Sequence, residues 1–433
     1  MKHILILALS LHIFSPILAD DWPHWMGPQR DNTWREEGLL EKFPQGGPKI
    51  VWRTAIAGGY SGPAVTKNRL YVTDYVTTEN SKIENFKRDK SFTGKERVLC
   101  LNAKNGSEVW HYEYPVTYTI SYPSGPRCTP IVHQGKVYTL GAEGNLLCFD
   151  AEEEKLLWSH DLKKEYKTKA ALWGYSAHPL IDGNKLITLV GGEGSHVVAF
   201  DKDTGKELWK ALTSSEQGYS PPTIINASGV RQLILYRPDA VTSLNPENGQ
   251  EYWSIPYQAT NGSIIMAPIV WKDLMYVAGF SNKSLLLKLG DKPGATEVWR
   301  DKKGAGICPV NVQPFNDNGT LYGFDQSGIF YGMEIASGKR LWQTTDVMKH
   351  RAQGSETGFI VKQGDRYWIF NELGELIICK LSPEGYKEID RAKVIDMTNT
   401  AFGRDVVWCM PAFANKRMYV RNDKECICVE LAK

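Results

Sequence analysis

No stretch of this 433-residue chain reaches 18 uninterrupted apolar residues, so a membrane-spanning helix is not expected. Charge of either sign is not in excess: the formal net charge is +2, which gives no electrostatic case for nucleic acid or an anionic membrane surface. The nine histidines include no metal-ligand spacing, so no metal is expected. The eight cysteines include no adjacent pair and no Cys-x-x-Cys-His. Cys426 and Cys428 are the only close pair, with one residue between them. Gly59-Tyr60-Ser61-Gly62-Pro63 fails the Gly-x-Ser-x-Gly spacing of a nucleophile elbow. Gly141–Gly144 and Gly191–Gly194 join strands, which makes them hairpin turns instead of phosphate loops. Five Asn-x-Ser/Thr sequons, at Asn105, Asn226, Asn261, Asn282 and Asn318, coincide mostly with turns and are explained by turn chemistry. No catalytic residue emerges from these motifs.

The start of the chain carries Lys2 and His3, an apolar run from Ile4 to Leu18 and then Ala19 before two aspartates. That order reads as a signal peptide over residues 1–19 and implies a periplasmic or secreted protein. No cysteine follows Ala19, so a lipid anchor is not expected. Residues 20–47 read as an N-terminal extension packed on the single domain formed by residues 48–433.

What the chain has in quantity is tryptophan, tyrosine and glycine, at 14, 20 and 39 residues, which suits short strands and tight turns. They recur in a fixed phrase: an apolar strand, a Gly/Asn/Asp turn, then a tryptophan. Cys100-Leu101-Asn102-Ala103-Lys104-Asn105-Gly106 leads to Trp110, Ala199–Gly205 to Trp209 and Ser243–Gly249 to Trp253. Trp110, Trp158, Trp209, Trp253, Trp299 and Trp342 lie 48, 51, 44, 46 and 43 residues apart. A unit of that length made of strands cannot bury its own apolar faces and must pack against copies of itself. Most units open on a proline strand, as at Pro63, Pro130, Pro179, Pro222, Pro268, Pro309 and Pro411, because proline belongs at a strand start or edge. Another unit, between Glu356 and Val394, lacks both the proline and the tryptophan.

The pattern predicts an all-β chain, an eight-bladed β-propeller of four-stranded antiparallel blades, with seven blades as the alternative count. The last unit has three strands, and the strand around Trp52 supplies the fourth, closing the ring from the N-terminal side. Cys100, Cys148, Cys379 and Cys428 share a slot with Ala199 and Ser243, so they read as small core residues. Cys128, Cys308, Cys409 and Cys426 leave a disulfide open.

These repeats, from about Lys49 to Lys433, resemble the pyrroloquinoline-quinone-type repeats of eight-bladed propellers. That superfamily includes quinoprotein alcohol dehydrogenases and the propeller subunit of the outer-membrane protein assembly machinery. Asp21-Trp22-Pro23-His24-Trp25 with Gly27-Pro28, Tyr118-Thr119-Ile120-Ser121-Tyr122-Pro123 and Phe402-Gly403-Arg404 resemble exported bacterial propellers of that group. The resemblance implies the fold. It also implies, for the enzymes, a quinone above a calcium ion with an aspartate base and often a disulfide between adjacent cysteines. This chain has no adjacent cysteines and no dense local acidic cluster, so no cofactor is expected; pyrroloquinoline quinone and calcium belong to the alternative reading.

A binding site is expected on the face where fourth strands connect to the next first strands. Its candidates are Tyr122, Arg127, Trp173, Tyr175, His178, Tyr219, Arg237, Asp239, Glu356, Arg404 and Trp408, with Tyr118, His350, Arg351 and Asp405 nearby. Aromatic rings with Arg, His and carboxylates suit a polar small molecule, a glycan or a protein partner. The segment between Asp74 and Arg97 departs from the repeat as a polar loop on that face. The leading expectation is an exported, non-catalytic, monomeric ligand-binding propeller. The alternatives are a quinone- and calcium-dependent oxidoreductase and a scaffold in envelope assembly.

Overall fold

Strand pairing follows the repeat unit by unit in the computed structural model, which describes residues 21–302 and 304–433. The signal-peptide reading of residues 1–19 lies outside the described residues. Among the described residues the strands form eight four-stranded antiparallel sheets arranged as a β-propeller, and one two-stranded hairpin. Blades I to VII span 64–118, 131–161, 180–211, 223–256, 269–300, 315–344 and 358–393. Blade VIII takes Ala412–Ala414, Arg417–Arg421 and Glu425–Glu430 and is completed by Ile50–Ala55. Trp52 lies directly opposite Cys428, so the N-terminal strand fills the fourth place as expected.

The register explains why the third strand carries a small residue. Cys100, Cys148, Ala199, Ser243 and Gly332 each face the blade tryptophan across the ladder. On the other side Cys100, Cys148, Gly332 and Cys428 face Tyr71, Tyr138, Tyr322 and Tyr419 of the second strand. Those tyrosines meet their own blade's tryptophan, as in Tyr71–Trp110 at 6.0 Å and Tyr322–Trp342 at 5.9 Å between ring centroids. Two large rings therefore reach over one side chain, which is small in these blades; blade V differs, with Leu286 between Tyr276 and Trp299. A Cβ on Gly332 would sit 2.4 Å from the Trp342 ring.

The tryptophan then locks one blade to the next. Trp52 Nε1 donates to the Ala103 carbonyl of blade I (3.1 Å), and Trp158 Nε1 to the Lys202 carbonyl of blade III (3.1 Å). The ring lies against the turn glycine of the following blade for Trp52, Trp158, Trp209 and Trp299, at Gly106, Gly205, Gly249 and Gly338. A Cβ on Gly249 (φ +74°) would approach the Trp209 ring to 2.7 Å, so the turn chemistry and the inter-blade contact select glycine together.

All eight cysteines are buried and free, which closes the disulfide question among them. Burial pushes the thiols of Cys100, Cys148 and Cys428 up to about 12. Blade VII is complete without its tryptophan. Glu388 stands opposite Cys379, and Arg391 bonds both Glu388 and Glu375 there.

Three expectations need correction. Blade VI opens at Pro314, before Phe315–Asp317, and not at Pro309. What marks the true opening is the hairpin turn Asn318-Gly319 that follows it, whereas Pro309 lies in the preceding loop. The insertion is shorter than Asp74–Arg97. Those two residues pair across strands through a bidentate ion pair at 2.9 and 2.6 Å, and only 77–91 leaves the ladder. Finally, the N-terminal extension does more than overlie the ring. Trp22 exchanges backbone hydrogen bonds with Val65, Pro23 accepts from Val132, Arg30 bonds the Pro179 carbonyl and Asn32 accepts from Lys362. The segment thus crosses between the inner strands of blades I, II, III and VII.

Gly249→Ala is expected to lower stability by about 2–4 kcal/mol, from the left-handed backbone plus overpacking. Gly229→Ala, also at positive φ but with nothing within 4 Å, should lose only about 1 kcal/mol. Equal shifts in the urea midpoint of the two variants would remove the role given to the Trp209 contact. A thiol titration should find no reactive cysteine in the folded protein and all eight in denaturant.

Candidate functional site

The loops that enter each first strand converge on the channel mouth and enclose a cavity of about 220 Å³. Its lining follows the repeat: the residues three and one before the opening proline point into it. These are Tyr60 and Gly62 before Pro63, Arg127 and Thr129 before Pro130, Ser176 and His178 before Pro179, and Tyr219 and Pro221 before Pro222. Asn311 and Gln313 precede Pro314, and Trp408 and Met410 precede Pro411. The two-residue spacing is the alternation of an extended chain, which sends every second side chain to the same side. Trp25 and Asn32 of the N-terminal segment complete the enclosure.

One side of the mouth is an aromatic brace. Phe86 from the 77–91 strap meets Tyr122 at 5.5 Å, and Trp408 lies 5.9 Å from both Tyr122 and Phe402. Tyr122 and Phe402 both hold left-handed backbone, at φ +51°, a strain that persists only where neighbours enforce it. Glu84 of the strap is one enforcer: its carbonyl accepts from Tyr122 N and its carboxylate from Phe402 N, both at 2.9 Å. Arg127 is the other. Its guanidinium bonds the carbonyls of Ser121 (2.7 Å), Tyr122 (2.6 Å) and Gly125 and lies 5.2 Å over the Tyr60 ring. Elsewhere in the wall Trp173 meets Tyr219 edge-on at 5.1 Å, and Trp25 stacks on His178 at 4.9 Å.

The wall is electrically quiet. It contains no aspartate or glutamate. Burial, and then the nearby Arg30, pushes His178 down to about 3, so its imidazole is neutral. Burial pushes the Tyr60 phenol up to about 12. Asn32, only 2 % exposed, and Asn311 are among the lining residues, and each has a buried Oδ1 without a partner.

Of the residues expected from sequence, Tyr122, Arg127, Trp173, His178, Tyr219 and Trp408 come together here. The others do not line the cavity. Tyr175 is buried between blades with its hydroxyl on the Val190 carbonyl (3.2 Å). Arg237 pairs with Asp239 at 3.2 Å, and the Asp239 side chain is 71 % exposed. Glu356, 3 % exposed, sits 3.4 Å from His350 and is pushed up to about 7 by burial. Arg404 is held by Glu372 at 2.7 Å, and Glu372 also accepts from Trp408 Nε1 at 2.8 Å, so this pair supports the wall from behind. Tyr118 is buried, with its hydroxyl on Glu96, and Arg351 and Asp405 are exposed. The residues missed were Tyr60, Asn311 and Gln313, together with Trp25, Asn32, Phe86 and Phe402. The first three obey the three-and-one spacing, which the misplaced opening of blade VI concealed for Asn311 and Gln313.

The quinone enzymes that share this fold imply a calcium site, and the donor set does not fit one. Calcium takes several oxygens, carboxylates foremost, and this wall has none. Among the described residues no group of three His, Cys, Asp or Glu side chains could hold a metal.

His24, His178 and His196 are all lowered, to about 4, 3 and 3, with burial as the largest cause. In the unfolded chain they bind protons below about pH 6.5, so acid favours unfolding until the folded values are reached. Stability should therefore fall as pH drops from about 6.5 towards 4. His178→Phe, which keeps a ring against Trp25, should flatten that slope by roughly 1.4 kcal/mol per pH unit. An unchanged slope in denaturation curves taken across that range would show that His178 is accessible to protons.

Comparison with known proteins agrees with this architecture. Residues 94–344 match the profile of the family described as outer membrane protein assembly factor BamB. BamB of Burkholderia pseudomallei is 25 % identical over 285 residues, covering 55 % of this chain and 70 % of that protein. The quinohemoprotein alcohol dehydrogenase ADH-IIG of Pseudomonas putida is 28 % identical over 134 residues, 29 % of this chain and 18 % of its own length. The matches to such dehydrogenases thus span a small part of those proteins. The crystal structure of BamB from Moraxella catarrhalis superimposes with a TM-score of 0.55 at 15 % identity, over 88 % of this chain and 97 % of that one, which is agreement in fold. With more than half of its length matched by that profile, the chain belongs to the BamB-like family of pyrroloquinoline-quinone-type repeat propellers.

Proposed function

We propose that this chain is an exported, non-catalytic propeller that binds a ligand in the aromatic cavity at the channel mouth. The ligand class is a polar small molecule or a glycan, with a protein segment as the other candidate. The observation that carries the reading is the enclosed wall itself: rings from several blades around neutral polar groups, with no acid and no base that titrates near neutrality. General acid–base chemistry needs a group whose proton affinity matches the working pH, and His178 at about 3 does not supply one. Export and an envelope location are supported by the leader-like start of the sequence and by the family description.

Two other readings have specific support. An assembly scaffold is favoured by the family profile and by the BamB relatives. A quinone- and calcium-dependent oxidoreductase is favoured by the dehydrogenase relatives and opposed by the missing carboxylates.

A thermal-shift and calorimetric screen of glycans, small polar compounds and peptides should find a stabilising ligand. Trp173→Ala should weaken it at least about tenfold, the worth of a stacking partner. A ligand whose affinity survives that change sits elsewhere. Stoichiometric quinone uptake with calcium and dye-linked oxidation of alcohols would replace the binding reading by the enzymatic one.

A further inference from the structure

The cavity's aromatic rings are absent from one sector of its wall, and that distribution narrows the ligand. Rings line the rest, among them Tyr122 and Trp408 in the loops entering blades II and VIII, and Trp173 and Tyr219 in those entering blades III and IV. The loops entering blades V and VI supply aliphatic and amide or hydroxyl groups instead, namely Ser263, Ile265, Asn311 and Gln313. Gln313 is already used, bonding the backbone of Ala267 through both ends of its amide (2.8 and 3.3 Å). Asn311 Oδ1 and Asn32 Oδ1 have no partner.

Charge excludes several classes. No carboxylate lines the wall to hold a cation, and Arg127 adds positive charge to it. An anion finds that same guanidinium engaged with three backbone carbonyls that fix the Tyr122 turn, so it is not presented as a free fork. A pure hydrocarbon would satisfy the rings and leave two amide oxygens buried without donors, a cost of about 1–3 kcal/mol for each. What remains is an uncharged molecule with a flat apolar face and an edge of hydrogen-bond donors.

Building on the ligand-binding reading above, we infer that the cavity takes an uncharged pyranose unit, the terminal residue of a neutral glycan or glycoside. Its C–H face lies on Trp173, with the Tyr219 ring edge-on beside it, and its hydroxyls meet the amides of Asn311 and Asn32. A sugar ring supplies what the wall asks for, since axial hydrogens form an apolar face and equatorial hydroxyls form a polar rim.

Calorimetry on the intact protein tests this with four probe sets: neutral hexosides and disaccharides, the matching uronates, the matching amino sugars, and indole or phenol as uncharged aromatic donors. Neutral sugars should bind, and each charged analogue should bind at least about tenfold more weakly. Asn311→Ala should weaken the neutral sugars by about 3–10-fold, the range for one neutral hydrogen bond, while leaving the folded stability unchanged. Binding of indole or phenol that is lost in Trp173→Ala, with no neutral sugar bound, would overturn the sugar class and leave the cavity reading intact. Tighter binding of a uronate or an amino sugar than of its neutral parent would also overturn it. No binding by any of these or by the peptide and small-molecule panel would remove both readings together.

Discussion

The propeller depends on one repeated contact: an indole on a blade's outer strand lying against the turn of the next blade. That ring favours a small residue opposite it within its own sheet, with Leu286 the exception, and at four blade junctions it also demands a residue without Cβ in the neighbouring turn. Both demands fall on residues that are otherwise unremarkable in a strand or a turn. Once they are met, each blade buries its apolar face only against the next, and a closed ring becomes the arrangement that leaves no face uncovered. Three of the free cysteines, Cys100, Cys148 and Cys428, follow from the same demand, because a thiol is about the right size to lie between a tyrosine and a tryptophan.

A ring fixed in that way positions its inner mouth without dedicated machinery. The proline that begins the first strand in seven of the eight blades, VII being the exception, sets where the extended entry segment lies, and the residues three and one before it face the channel in six of them. Variation at those positions composes much of the site. The strap 77–91 and the hairpin of Asn399–Ala401 with Arg404–Val406 then add Phe86 and Phe402, while Glu84 and Arg127 hold the left-handed backbone at Tyr122 and Phe402.

Local signals explain how much could be read in advance. Trp110 through Trp342, Trp52 and the Cys/Ala/Ser slot are short-range patterns, so the blade count and the closure were legible. Blade VI was misread at its start because Pro309 and Pro314 compete as openings, and only the turn after Pro314 separates them. Half of the candidate site was legible through aromatic and basic residues near the prolines. Tyr175, Arg237 and Arg404 have the right chemistry and the wrong direction, which composition does not reveal. Trp25 and Asn32 were illegible because their place depends on contacts with Val65, Pro179 and Lys362, more than 30 residues away in each case, with no periodic pattern in the segment itself.

The strand Ile50–Ala55 is made long before its partner Glu425–Glu430. It waits, with a whole edge of backbone donors and acceptors open, until the seven intervening blades and the rest of its own have been made. Such a pairing has a very long loop to close, so it forms late and slowly, and the waiting edge is a place where another chain can pair. The clasp that makes the finished ring durable is therefore the point at which the nascent chain most needs shielding.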